Sequence, residues 1–239
     1  MTQNPVQERR YIFLRSARVI LNDALFLELL NKKEYPFIVA LSQNKLVVPD
    51  SVAQKRKKTV NISLERSPQE ILQSFHNTTR NEVRRTFHIT ELTVTRDDNN
   101  FDRAYALYKT FRHAKNLPVK PPSFLQQAMR WSAYWNGELL AVITCYDVPP
   151  YMRIQHIFSR LGDREMQKRV GYVTRRLVYE ACAYGSASGR VFLDMASVNM
   201  DNSHKKGITA FKLSFGGVMA DEYIYTYRSP LVRFVRRFQ

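Results

Sequence analysis

The chain has 239 residues, a mass of 28.1 kDa and a formal net charge of +16, from 37 Lys and Arg against 21 Asp and Glu. Its 44% hydrophobic and 12% aromatic content excludes a disordered chain and supplies one sizeable core, or two small ones. No apolar run approaches the roughly 20 residues that span a bilayer, and the polar segment 1–10 lacks a signal-peptide core, so a cytoplasmic location is expected. Two cysteines, Cys145 and Cys182, sit outside any CxxC or His-rich setting. A reducing compartment and no metal site are expected. The basic excess is spread along the chain, +9 in residues 1–120 and +7 in residues 121–239, which favours an anionic partner: nucleic acid, a nucleotide cofactor or anionic lipid. All eight glycines lie at or after Gly137, so tight turns and close approaches belong to that part.

Tyr11 to Ile20 reads as a strand, and Asn22 or Asp23 caps a helix through Leu30. Phe37 to Leu41 and Lys45 to Val48 read as a hairpin. The run Lys55-Arg56-Lys57-Lys58 is either a solvated loop or an anion-binding edge. Thr59 to Leu64 alternates as a strand. Ser67-Pro68-Gln69-Glu70 is a helix start, with a Ser cap, Pro at the first position and an acid at the third. That helix carries Ile71, Leu72, Phe75 and Thr79 on one face and Arg80, Arg84 and Arg85 on the exposed side. His88 to Arg96 is a strand. Phe101 to Asn116 and Ser123 to Trp131 are helices, separated by Pro118 and Pro121-Pro122.

An antiparallel meander follows. Ser132 to Trp135 turns at Asn136-Gly137, Glu138 to Asp147 returns, and Pro149-Pro150 leads into Tyr151 to Arg160. A long helix runs to about Tyr184. Arg190 to Ala196 is a buried-type strand, Lys205 to Ser214 a helix, Met219 to Arg228 a strand, and Pro230 opens a short basic helix. After residue 59 the order is β, α, β, α, α, β, β, β, α, β, α, β, α: a mixed α/β (α+β) domain, and not a doubly wound dinucleotide fold.

Two passages carry chemistry. Arg160 to Tyr172 leads from a strand into a helix whose N-terminal amides and dipole, with nearby Arg and Lys, could cradle a phosphate. Within it, Gly171 would allow close backbone approach. A capped amphipathic helix with a solvated basic face explains the same residues. Gly207 to Gly217 places Phe211-Lys212 on a helix that ends at Phe215-Gly216-Gly217. A glycine C-cap with Phe211 and Phe215 as an i, i+4 core pair accounts for all of it except Lys212.

These passages resemble the Fem-type peptidyltransferases and their relatives in the GNAT acyltransferase superfamily. Thr59 to Leu64, Ser67 to Glu70, and Thr79-Arg80-Asn-Glu-Val-Arg84-Arg85 resemble that family's strand, helix and arginine passage. Gly137 to Val142 resembles its hairpin strand. Tyr179-Glu180-Ala181 lies in a helix like its "L-x-(W/Y)-E-A-x-x-x-(A/G)". Gly207 to Gly217 resembles its "G-(I/L)-x-x-F-K-x-x-F-G-G". The likeness covers roughly residues 59–228 and implies a GNAT-like fold with a splayed, mostly antiparallel sheet flanked by helices. Residues 59–239 would form the acyltransferase domain and residues 1–58 a partial N-terminal element.

The resemblance implies that an acyl donor, acyl-CoA or aminoacyl-tRNA, enters the splay. A coenzyme A pyrophosphate would meet Gln167, Lys168, Arg169, Val170, Gly171 and Tyr172. The group would pass to an amine acceptor such as an amino sugar, a cell-envelope precursor or an amino acid. Lys212 would position the reacting groups. His156, whose reference pKa is about 6.5, is the candidate base by residue type, and Asp194 would orient a base or acceptor. Arg80, Arg84, Phe211 and Tyr225 are candidate substrate contacts. Tyr223, Tyr225 and Tyr227 alternate, so core packing and a substrate wall both fit. The helix from Pro230, with Leu231, Phe234, Val235 and Phe238 on one side, would dock on the domain or rest on the inner face of an anionic membrane. A basic nucleic-acid-binding module without catalysis, such as a tRNA binder, is the alternative.

Overall fold

A computed structural model describes residues 6–11, 14–198 and 206–236. In chain order they form β1 (Val6–Tyr11), β2 (Leu14–Ile20), α1 (Asp23–Lys32), β3 (Phe37–Ser42), β4 (Val52–Ser63), α2 (Pro68–Ser74), α3 (Asn77–Thr86), β5 (Leu92–Arg96), α4 (Phe101–Ala114) and α5 (Pro122–Gln126). There follow β6 (Met129–Trp135), β7 (Glu138–Val148), β8 (Tyr151–Ser159), α6 (Arg164–Ala187), β9 (Phe192–Asp194), α7 (Lys206–Leu213), β10 (Val218–Arg228) and α8 (Pro230–Arg236). Two compact units contain them: residues 1–60, 197–209 and 219–239, and residues 61–196 with 210–218. Strand β4 runs from the first into the second.

The first unit has strand order β1-β2-β3-β10-β4. β2 and β3 are parallel, whereas β1/β2 and β3/β10 are antiparallel. The strand expected over Tyr11 to Ile20 is therefore the second arm of a hairpin; residues 12 and 13 lie outside the described residues. The Asn22 side chain accepts from Leu25 N at 3.1 Å and starts α1, which buries Phe26, Leu29 and Leu30 against Ala17, Val19, Ile38 and Ala40. Tyr223, Tyr225 and Tyr227 share this core. Tyr225 is fully buried and stacks on Phe26 at 5.5 Å. Its hydroxyl donates to Asn44 O (3.1 Å) and accepts from Leu46 N (2.6 Å).

That hydroxyl explains a departure from expectation. The segment Lys45 to Val48 is no strand, because Tyr225 takes backbone groups that a hairpin partner would have used, and Leu46 and Val48 pack on the core instead. The basic run Lys55 to Lys58 is not a loop but part of β4. Alternation puts Arg56 and Lys58 on one face, where Asp221 of β10 meets them at 2.6 and 2.7 Å. In α8, Val232 is buried and Arg233 donates to Arg228 O and Ser51 O. The described part of that helix thus docks on its own unit. Phe238 lies outside the described residues.

The second unit has order β4-β9-β8-β7-β6-β5. β6 to β8 form the expected meander, turned between β6 and β7 at Asn136 and Gly137, both with positive φ (49° and 74°), and β5 adds antiparallel to β6. The helix opened by the Ser67–Glu70 capping box does not run on to Arg85. It stops at Phe75 (φ −67°, ψ 148°) and α3 restarts at Asn77. The Phe75 ring is buried edge-on against Phe215 (5.2 Å) and Tyr179 (6.4 Å), and His76 N donates to Ser214 O. Tertiary contact outweighs helix continuation here. Similarly, the helix expected over Ser123 to Trp131 ends at Gln126, because β6 starts at Met129 and Arg130 N donates to Asp97 Oδ1 at 2.7 Å.

The Asp98 cluster makes this unit acid-sensitive. Burial raises the Asp98 carboxyl, but hydrogen bonds from Tyr134, Thr95, Arg130 and the Asn100 N–H outweigh it and hold the group at about 2, below an ordinary 3.8. A folded value below the unfolded one contributes stability that is full above the unfolded pKa and lost as pH falls through the folded one. Asp98→Asn should therefore flatten the fall of Tm between about pH 4 and about pH 2 and cost about 2 kcal/mol at neutral pH. An unaltered acid slope would transfer the effect to another carboxylate. Asp221, held at about 2 by Arg56 and Lys58, would be the next to substitute.

Candidate functional site

The second unit's sheet opens at β8. β9 is three residues long and pairs in parallel with the start of β8: Tyr151 with Phe192, Met152 with Leu193 and Arg153 with Asp194. β8 runs on to Ser159, held on its other edge by β7. Beyond the Arg153–Asp194 rung, Ile154 to Ser159 have no β-ladder partner on the β9 side among the described residues. The result is a gap whose floor is that rung.

Side chains around the gap are set by a bulge. Thr144 pairs with His156 while Cys145 pairs with Ile154, so Gln155 is the extra residue. Past it the strand changes faces. Met152 lies towards α6, where a Cβ on Gly185 would come 3.0 Å from its sulfur. His156 packs between Tyr108 of α4 (5.3 Å) and Phe124 of α5 (5.5 Å), on the opposite face. Gln155 fixes the bulge: it donates to Phe124 O and Tyr146 Oη and accepts from Thr144 Oγ1. α5 is thereby anchored to the strand that borders the gap.

Lys212 arrives from α7. Its ammonium donates to Ala196 O at 2.9 Å, two residues past the end of β9. Asp194 Oδ1 accepts from Ala196 N at 2.7 Å, and Asp194 Oδ2 is paired with Arg153. Lys212 and Asp194 thus bind the backbone of one residue, its C=O and its N–H. Phe211 packs edge-on to Phe215 (5.0 Å) and under the Arg175 guanidinium (5.4 Å). Arg175 also pairs with Glu82 and donates to Gly171 O, which ties α6 to α3 and α7. Cys145 and Cys182 are fully buried, and burial pushes both thiols up, so neither is poised as a nucleophile.

The other predicted residues are placed elsewhere. α6 starts at Arg164, and the Asp163 carboxylate accepts from Met166 N at 2.8 Å, with Glu165 in the same turn. Gln167 to Tyr172 follow inside the helix, where backbone N–H groups serve the helix itself; Gln167 N donates to Asp163 O. Of their side chains, Gln167 and Lys168 are exposed, Arg169 lies over Trp135 (5.2 Å), Val170 is buried, and Tyr172 accepts from Arg85. Gly171 makes room for Arg175, which a Cβ would meet at 3.3 Å. Arg80 donates to Gln73 O and Asn77 Oδ1 and so locks the α2–α3 break. Arg84 is exposed on α3. Tyr225 is a core residue of the first unit. Sequence reading missed Arg153, Gln155 and Arg175. A charged and an amide side chain inside the apolar run Tyr151 to Phe158 was the available signal for the first two.

No family model matches the sequence, and no curated protein matches it. Solved structures do match. FemX superposes with a TM-score of 0.65 at 12% identity, over 96% of this chain and 86% of FemX. L-PGS from Bacillus licheniformis gives 0.54 at 13% identity, over 98% of this chain and 83% of that one. A DUF2156 C-terminal domain from Agrobacterium fabrum, assigned to a lysylphosphatidylglycerol synthetase, gives 0.57 at 10% identity, over 97% and 83%. This is a Fem-like fold.

In the Fem-like fold the expected splay corresponds to the β8–β9 gap, and α6 is the helix that follows the splayed strand. Among the described residues no group of three or more His, Cys, Asp or Glu is placed to hold a metal ion. Nor is any described helix long and apolar enough to cross a membrane.

Proposed function

We propose that the protein is an N-acyltransferase that moves an acyl or aminoacyl group from an activated ester or thioester to an amine. One observation carries the reading: a Fem-like sheet opens beyond the Arg153–Asp194 rung, with the Lys212 ammonium held on Ala196 at the end of β9. The acceptor nitrogen attacks the donor carbonyl carbon. A C–N bond forms, the C–O or C–S bond of the donor breaks, and the nitrogen loses a proton. Lys212 is a fixed cation beside the gap, suited to donate to the oxyanion that develops during attack. His156, on the bordering strand, is the group suited to take the proton. Asp194 is engaged by Arg153 and Ala196 N, so it orients rather than accepts.

The start of α6 favours one donor class. Its free amide end is occupied by the Asp163 carboxylate and accompanied by Glu165, both of which repel a pyrophosphate. Phosphate contact there falls to side chains such as Lys168. A chain of net charge +16 suits the many dispersed phosphates of a tRNA, so aminoacyl-tRNA is the favoured donor. The acceptor is an amino sugar, an amino acid or a cell-envelope precursor.

A thermal-shift comparison tests this directly. Aminoacyl-tRNA at about 100 times its Kd should add about 2.7 kcal/mol of stability, with a steep salt dependence, and acetyl-CoA should leave Tm unchanged. A shift with acetyl-CoA alone reverses the donor assignment. Absence of transfer from either donor to any amine rejects the enzyme, and tRNA binding without transfer leaves the binding module.

A further inference from the structure

The floor of the gap is a buried ion pair. Arg153 is 5% exposed and Asp194 0%. Charges buried this deeply are costly to keep, and a packed apolar pair would fill the same rung at no loss of stability. The adjoining residue is also held in a disfavoured state: Ala196 has φ +63°, a left-handed conformation that side chains other than glycine resist. Both costs meet at one residue. Asp194 Oδ1 accepts from Ala196 N, and Ala196 O accepts from Lys212 Nζ.

We propose that Arg153 and Asp194 are a positioning pair for Lys212. The guanidinium orients the carboxylate, the carboxylate pins the Ala196 amide in its left-handed turn, and the turned carbonyl holds the ammonium beside the gap. The chain of contacts is Arg153, Asp194, the Ala196 backbone from N–H to C=O, Lys212. Arg153 acts through the other three and touches no substrate. A lysine side chain has a large rotamer freedom to lose, and this arrangement removes that freedom before the donor arrives. The kinetic part of the proposal rests on the acyl-transfer reading; the geometric part does not.

Competitive labelling of the whole protein with acetic anhydride, read by mass spectrometry, separates the two parts. In the native protein Lys212 should label about tenfold more slowly than the exposed Lys168, the effect of one charge-assisted hydrogen bond. The double variant Arg153→Met, Asp194→Leu removes both charges while keeping an apolar rung. In it Lys212 should label about tenfold faster than in the native protein, with the circular dichroism retained. Transfer should lose kcat by about tenfold or more with KM nearly unchanged, the pattern of lost transition-state positioning, and adding Ala196→Gly should not restore it.

Native labelling of Lys212 at the Lys168 rate overturns the proposal, as does undiminished protection in a folded double variant. If the double variant does not fold, the native measurement decides alone. If no protein transfers an acyl group, the labelling result still stands, and only the acyl-transfer reading fails.

Discussion

Lys212→Ala should lower kcat by about 100- to 1000-fold, the loss seen when one oxyanion donor is removed from an acyl-transfer site, and lower Tm by no more than several degrees. The two expectations have separate causes. Lys212 is half-buried near the end of α7, and alanine is the best helix former, so the helix is preserved. Among the interactions lost is the charge-assisted bond to Ala196 O, which contributes about 1.5–3 kcal/mol. The charge beside the gap disappears entirely. Steady-state kinetics with the donor identified by thermal shift, together with a melting curve, check both. Full activity in this variant would remove Lys212 from the mechanism.

Gly216→Ala should be the more damaging change to the fold. Gly216 has φ +68°, and a Cβ there would lie 2.2 Å from Ser74 O and 2.8 Å from Ser74 C. Those are backbone atoms at the end of α2, so no rotamer change relieves the clash. The left-handed conformation costs about 1–2 kcal/mol with a side chain, and overpacking about 1–3 more. For a chain of this size the sum lowers Tm by about 5–20 °C. Gly207→Ala is the control. Its Cβ would meet nothing within 4 Å, and alanine in a helix is favoured by about 0.5–1 kcal/mol. Equal melting temperatures for the two variants would show that the Gly216 turn yields more readily than its contacts indicate.

The Gly216 result bears on how the Phe-Lys passage is built. Phe211, Phe215 and Gly216 place α7 against the α2–α3 break, through the Phe75–Phe215 contact and the bond from His76 N to Ser214 O. Lys212 projects from that support towards Ala196. Disturbing Gly216 should therefore affect the site through stability, whereas Lys212→Ala should affect it through chemistry alone.

Much of this protein was legible in its sequence. The element order from β4 to α8 apart from the α2–α3 split, the Ser67 capping box, the Asn136–Gly137 turn and the shared face of Tyr223, Tyr225 and Tyr227 were all readable. Each depends on residues within a few positions of one another, where periodicity, caps and positive φ act locally. The Phe211–Lys212 passage belongs to the same class. The tertiary structure decided what depends on distant partners. The helix breaks at Phe75 because Phe215 and Ser214 claim its neighbours, and Lys45 to Val48 is no strand because Tyr225 reaches it from 179 positions away. The basic run of β4 is a strand because Asp221 lies beside it. The Arg153–Asp194 rung spans 41 positions, and no local pattern could pair a guanidinium in one strand with a carboxylate in another. The short β9 that ends there, and so opens the gap, takes both its partners, β4 and β8, from parts of the chain distant in sequence, so its place in the sheet is a tertiary matter.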